Sequence, residues 1–193
     1  FSSSVSGYEF DPELAKQLLL DSKYGDDLDN MPPITITTPG SFGANVSLDM
    51  EVVLAMWEKN LGIRTEFQQT EFATFLKDLN KRRFQMFDIG WIADYPDPEN
   101  FLDILFYSDS SNNHTNYSNP EVDSLLEKAR IETDETLRFN IYNQVEQTIL
   151  DDAPWVPLWY SGERYLLVKP NVHDFLQTPL IIPKLRHVHL TDK

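Results

Sequence analysis

The feature that most constrains this chain is an alternation of strand-like and helix-like segments over residues 34–92. "ITITT" at 34–38 alternates Ile and Thr with period two, and "IRTEFQ" at 63–68 and "MFDIGWI" at 86–92 have strand character. Between the first two, Ser47 is placed to cap a helix running to about Gly62. Its expected apolar face is Leu48, Val52, Ala55 and Met56, with the Val53/Trp57 pair beside it. Between the second and third, Thr70 is the expected cap of a helix that turns Phe72, Phe75, Leu76 and Leu79 inward. The order β-α-β-α-β with helices of this length requires right-handed crossovers. The expected class is therefore α/β, with a mainly parallel sheet flanked by helices.

The flanks are legible in the same way. "DPELAKQLLLDS" places Asp11 as N-cap and Pro12 at the first helical position, with Leu14, Ala15, Leu18 and Leu19 on one face. Downstream, "ENFLDILF" reads as a short helix and "YSDSSNNHTNYS" as a polar loop. Asn119-Pro120 opens a helix to about Glu132. Asp134 opens another to about Asp151, where Leu137, Ile141, Val145 and Ile149 keep helical spacing with Tyr142 alongside. "WVPLWYSG" at 155–162 and "RYLLVK" at 164–169 are strand-like. The rest is punctuated by proline, with apolar pieces "LII" and "HVHL" that have no partner element in the sequence, so this tail is expected to pack on something outside the chain. Phe1 is not a start methionine, and the expectation is a mature product or a piece of a longer chain.

Composition removes several function classes. Sixteen Lys plus Arg against 31 Asp plus Glu give a net charge of −15, which repels phosphate backbones and anionic membrane surfaces, so no nucleic-acid partner is expected. Cysteine is absent, which excludes a thiolate metal site and a cysteine nucleophile. No phosphate-binding glycine loop, nucleophile elbow or zinc-protease helix occurs, so no cofactor and no enzymatic chemistry are expected. His187 and His189 would share one face of a strand, a weak metal-ligand spacing with no third ligand nearby, and no metal is expected. Asn45, Asn113 and Asn116 fit the N-glycosylation pattern, which short polar loops match by chance.

One stretch carries more information. In "GWIADYPDP" at 90–98, Pro96 and Pro98 stop a ladder and stiffen the loop at the C-terminal edge of a parallel sheet, where open α/β domains place ligands. Trp91, Asp94, Tyr95 and Asp97 are then presented on a rigid support. The alternative is structural: Trp91 in the core, Asp94 capping a turn, and Asp97 capping the helix at 99–106, the stronger reading for Asp97 because Pro98-Glu99 follows it. Asp94 and Asp97 as a carboxylate pair of a hydrolase is a third reading, and spacing alone does not decide it.

Taken in order, "FDPELAKQLLLDSKYGDDLDNMPPITITT", "LGIRTEF", "FATFLKDLNKRRFQMFDIGWIADYPDPENFLDILF" and "YSNPEVDSLLEKARIETDETLRFNIYNQVEQTILDDAPWVPLWY" resemble the C-terminal part of the family 5 extracellular solute-binding proteins, over about residues 8 to 190. The resemblance implies a periplasmic-binding-protein-like second lobe over 1–165 and, over 166–193, a tail returning to a first lobe that the chain lacks. It implies peptide capture in a cleft between two lobes, delivery to the membrane permease of an ABC importer, and a location outside the cytoplasmic membrane, in a periplasm or on a lipid anchor. It assigns ligand binding to Trp91, Asp94 and Tyr95, with Asp94 pairing the α-ammonium of the ligand. Oligopeptide binders carry a basic residue shortly before the Trp where this chain has Asp88, and other members bind oligosaccharides, so a sugar ligand stays open.

Overall fold

The structure, a computed structural model, describes residues 4–25, 27–40, 47–160, 167–176 and 184–191. The chain forms two compact units, Ser6–Gly90 and a second made of Phe1–Val5 with Trp91–Lys193.

The first unit is built on a three-stranded parallel sheet in which β1 (Ile34–Pro39) lies between β2 (Thr65–Thr70) and β3 (Met86–Phe87). Ile36 stands opposite Phe67 on one side and Met86 on the other, and is buried. The expected strand over 86–92 is cut to two residues, and β1 supplies the reason. The Asp88 N–H still reaches the Thr37 carbonyl at 3.1 Å, but the next rung of a parallel ladder needs the N–H of residue 39, which is Pro39. From Asp88 on the chain has no ladder to follow.

Two helices behave as the caps require, with corrections in register. Helix α1 (Pro12–Leu20) starts where the Asp11 carboxylate accepts the Leu14 N–H at 2.9 Å. Helix α2 (Leu48–Leu61) starts on the Ser47 hydroxyl and ends at Gly62, whose φ of 68° suits a residue without Cβ. The buried side of α2 is Met50 with the half-buried Val53, Leu54, Trp57 and Leu61, whereas Leu48, Val52, Ala55 and Met56 are exposed. In α1, Leu14 and Leu18 are likewise exposed and Ala15 and Leu19 half-buried. Both helices carry two overlapping apolar stripes at helical spacing, and periodicity cannot choose between them. Helix α3 (Phe72–Asn80) is capped by Glu71, whose carboxylate accepts the Ala73 and Thr74 N–H groups at 3.0 Å each. Thr70 is instead the last residue of β2. Phe75 and Leu79 are buried as expected and Phe72 is exposed.

The second unit is helical: α4 (Glu99–Phe106), α5 (Pro120–Ile131) and α6 (Glu135–Asp152). Asn119 caps α5 and Asp134 caps α6 through their side-chain oxygens, as the sequence indicates. The three helices enclose Leu102, Leu105, Phe106, Val122, Leu126, Ala129, Tyr142, Val145 and Ile149. The expected strand at 155–162 does not form over its described part. Trp155 packs on Phe106 with ring centroids 4.8 Å apart, and 156–160, which include Pro157, run exposed and form no strand. Of the segment 164–169, residues 164–166 lie outside the described residues, as does "LII" at 180–182, and 167–169 form no strand. The tail does find a partner, itself: β4 (Val172–His173) pairs antiparallel with β5 (His189–Leu190). His187 falls in a 3-10 turn over Leu185–His187, so it does not share a strand with His189.

Candidate functional site

The loop from Trp91 to Pro98 is held by two anchors. At its start, the Trp91 Nε1–H and the Asp94 backbone N–H both donate to one acceptor, the Oδ1 of Asn100, each at 3.1 Å. Asn100 lies in the first turn of α4 and is fully buried. At its end, Arg138 grips Asp97 with a bidentate fork, Nη1 to Oδ2 at 2.8 Å and Nη2 to Oδ1 at 2.7 Å. Planar guanidinium and carboxylate match in this geometry, which fixes orientation as well as distance. Arg138 also donates to the Tyr142 hydroxyl at 3.0 Å and to the Ala129 carbonyl at 3.3 Å, so the fork is itself held.

The electrostatics follow from these contacts. Hydrogen bonds from Arg138 hold the Asp97 carboxyl below the usual carboxylate range. Its Oδ1 also accepts the Glu99 N–H at 2.9 Å, so Asp97 supports the start of α4 from one residue before the Pro98 cap. Both contacts give Asp97 a structural part: ionised, it has no proton to give as a general acid, and with Arg138 on both of its oxygens it is poorly free to act as a base. The Tyr95 hydroxyl donates to the Glu99 carboxylate, which pushes the phenol pKa up, while the nearby Asn100 amide opposes that effect.

Of the three residues expected to bind ligand, Trp91 is half-buried against the helical core, and Tyr95 is partly exposed. Asp94 differs from both. Its carboxylate is exposed and has no hydrogen-bond or ion-pair partner among the described residues, and the turn uses its backbone N–H rather than its side chain. Asp88, on the short strand's exit in the other unit, is half-buried, and burial pushes its carboxyl up. Among the described residues no group of three or more His, Asp or Glu could hold a metal ion. His173 and His189 stack at 5.3 Å as a cross-strand pair, with the Asp174 carboxylate 3.3 Å from His189 Nδ1.

Sequence reasoning missed Asn100 and Arg138. Each leaves a trace: Asn100 is the one amide in the otherwise apolar and acidic "ENFLDILF", and Arg138 is the only basic residue of α6. Neither trace names a partner.

A family model described as bacterial extracellular solute-binding proteins, family 5 Middle, matches residues 1–113, more than half of the chain. The chain belongs to this family. Its members are solute-binding proteins. The periplasmic oligopeptide-binding protein OppA of Salmonella typhimurium is 36% identical over 123 residues, 64% of this chain and 22% of that protein. Heme-binding protein A of Haemophilus influenzae is 29% identical over 185 residues, 93% of this chain and 32% of that protein. Among solved structures, the ABC transporter-associated periplasmic binding protein DppA from Helicobacter pylori in complex with peptide STSA superposes with a TM-score of 0.71 at 27% identity, over 82% of this chain and 30% of that one. The chain thus spans between about a fifth and a third of the length of the curated relatives it matches. Its α/β architecture with a parallel sheet matches that of solved family members. Among the described residues no helix is long and apolar enough to cross a membrane.

Proposed function

We propose that this chain is part of an extracytoplasmic receptor that captures peptides and passes them to the membrane permease of an ABC importer. In this reading residues 1–165 belong to the second lobe of a two-lobed protein, 166–193 return to the first lobe, and the peptide lies between the lobes. The protein resides in a periplasm or is held at the cell surface by a lipid. Asp94 pairs the ligand's α-ammonium, and Trp91 and Tyr95 border the same place.

The observation that carries the reading is the unpaired, exposed Asp94 carboxylate on a loop otherwise tied down at both ends. A family of solute binders with oligopeptide-binding relatives supports a cationic amino terminus as the group it awaits. A charge-assisted bond formed in a closed cleft is strong, and removing one partner costs about 2–5 kcal/mol of affinity. The binding reading needs no reacting group, and Asp97, occupied by Arg138, is poorly placed to be one.

The test is a thermal-shift titration of the complete native chain carrying these residues, against pooled di- to pentapeptides, cello- and xylo-oligosaccharides, and heme. Binding to the folded state alone raises Tm with ligand concentration. A rise with peptides that vanishes in Asp94→Ala is expected. A rise with sugars or heme alone, or one indifferent to Asp94, overturns the ligand assignment.

A further inference from the structure

Asn100 is fully buried, and a buried carboxamide is costly unless its groups find partners. Only half of it does. Its Oδ1 accepts from Trp91 and from Asp94, while its Nδ2, although near enough to the Tyr95 phenol to influence it, completes no hydrogen bond among the described residues. An apolar side chain of similar size would remove that unpaired donor, so what Asn100 supplies here is the oxygen. Two donors three residues apart in sequence converge on this single atom, which ties the Trp91 indole to the Asp94 backbone through one acceptor.

We infer that Asn100 is the positioning residue of the ligand site: its carboxamide oxygen sets where the Asp94 carboxylate stands relative to the Trp91 ring. The inference rests on the reading of Asp94 as the ammonium partner. Two physical points carry it. A charge-assisted hydrogen bond is directional, so a carboxylate on a loop free to pivot loses much of its advantage over water. A neutral acceptor also anchors the loop without adding a charge beside Asp94, whereas the charged anchor, Arg138, is spent on Asp97 at the far end. The loop therefore has a neutral clamp at the end that meets the ligand and an ionic clamp at the end that does not.

The experiment compares wild type, Asn100→Leu, Asn100→Asp and Asp94→Ala in the complete native chain. Calorimetry with trialanine and N-acetyl-trialanine gives the preference for a free amino group. Hydrogen exchange without ligand gives the protection of the Asp94 amide, and the indole N–H resonance reports on Trp91. Asn100→Leu is expected to cut the free-amino preference by about tenfold or more and to speed Asp94 amide exchange by a similar factor. Asn100→Asp, which keeps an oxygen in place but adds a charge beside Asp94, is expected to retain most of the amide protection and to shift the free-amino preference away from the wild-type value. If Asn100→Leu does not fold, Asn100→Ser, whose hydroxyl falls short of the same position, takes its place with the same expected losses. A wild-type preference in the Leu or Ser variant overturns the inference, whatever the amide does. A wild-type preference in Asp94→Ala overturns the ammonium reading instead, and Asn100 as the anchor of Trp91 and Asp94 then stands or falls on the exchange rates and the indole resonance.

Discussion

The two units spend their charged residues differently. In the helical unit, ion pairs join elements far apart in sequence: Asp103 on α4 is forked by Arg130 on α5 at 2.7 and 2.8 Å, and Asp97 is forked by Arg138 on α6. Arg130 also lies 4.2 Å from the centroid of the Tyr107 ring, and the Tyr117 hydroxyl and Asn119 amide both donate to Asp152 at the end of α6. In the sheet unit the ion pairs Lys16–Glu13 and Arg83–Asp78 are local, and α1 and α2 leave Leu14, Leu18, Leu48 and Val52 at least half exposed. Cross-element ion pairs are thus concentrated in the unit that carries Trp91, Asp94 and Tyr95, and under the proposed ligand-binding role of these residues such preorganisation would lower the cost of binding.

The largest effect expected from this difference is in the core. Leu126→Ala empties a fully buried position between α5 and its neighbours and should cost about 3–5 kcal/mol, whereas Leu18→Ala in α1 should cost within about 0.5 kcal/mol. Urea denaturation of both variants checks the pair. A Leu18→Ala penalty comparable to that of Leu126→Ala breaks the comparison, because α1 would then be packed in solution.

Next come the ion pairs. Asp97→Asn should cost about 2–3 kcal/mol at neutral pH, since it leaves a half-buried Arg138 fork facing a neutral group. Asp78→Asn, which breaks an exposed local pair, should cost within about 0.5 kcal/mol. The pH dependence has a definite sign. The folded Asp97 carboxyl is depressed below its unfolded value of about 3.9, so its contribution is complete above that pH and disappears as pH falls through the lower folded value. The penalty of Asp97→Asn should therefore shrink in acid. A penalty that persists unchanged at low pH would mean packing, not charge, is what Asp97 supplies.

The same contrast explains what could be read from the sequence. Helix starts were legible because a cap is a local event: Asp11, Ser47, Asn119 and Asp134 each bond an N–H two or three residues on, and each stands where expected. The parallel sheet was legible from alternation. The end of β3 was not, because it is set by the missing N–H of Pro39, a residue 48 positions before Phe87 on another strand. The same holds at the site. Trp91, Asp94 and Tyr95 were named from a contiguous motif, but Asn100 and Arg138, which hold that motif, act through contacts that only the fold creates.

The smallest expected effect sets one aspartate against another across the two units. Asp88 is half-buried beyond β3, and burial raises its folded pKa instead of lowering it. No arginine reaches it among the described residues, in contrast to Asp97. Below the unfolded value of about 3.9 both states are protonated and the site costs nothing; as pH rises toward the raised folded value, the unfolded chain ionises first and stability falls. At pH 7 the ionised group stands against its desolvation, so Asp88→Asn should stabilise the fold, by less than about 1 kcal/mol once solvent screening is allowed for. That gain should fade in acid while the Asp97→Asn loss fades with it, so the two variants approach wild type from opposite sides. Denaturation midpoints at pH 7 and pH 3 test the crossing. A loss of stability in Asp88→Asn at pH 7 would mean a cation reaches Asp88 in solution, and the sheet unit would then stabilise its carboxylates as the helical unit does.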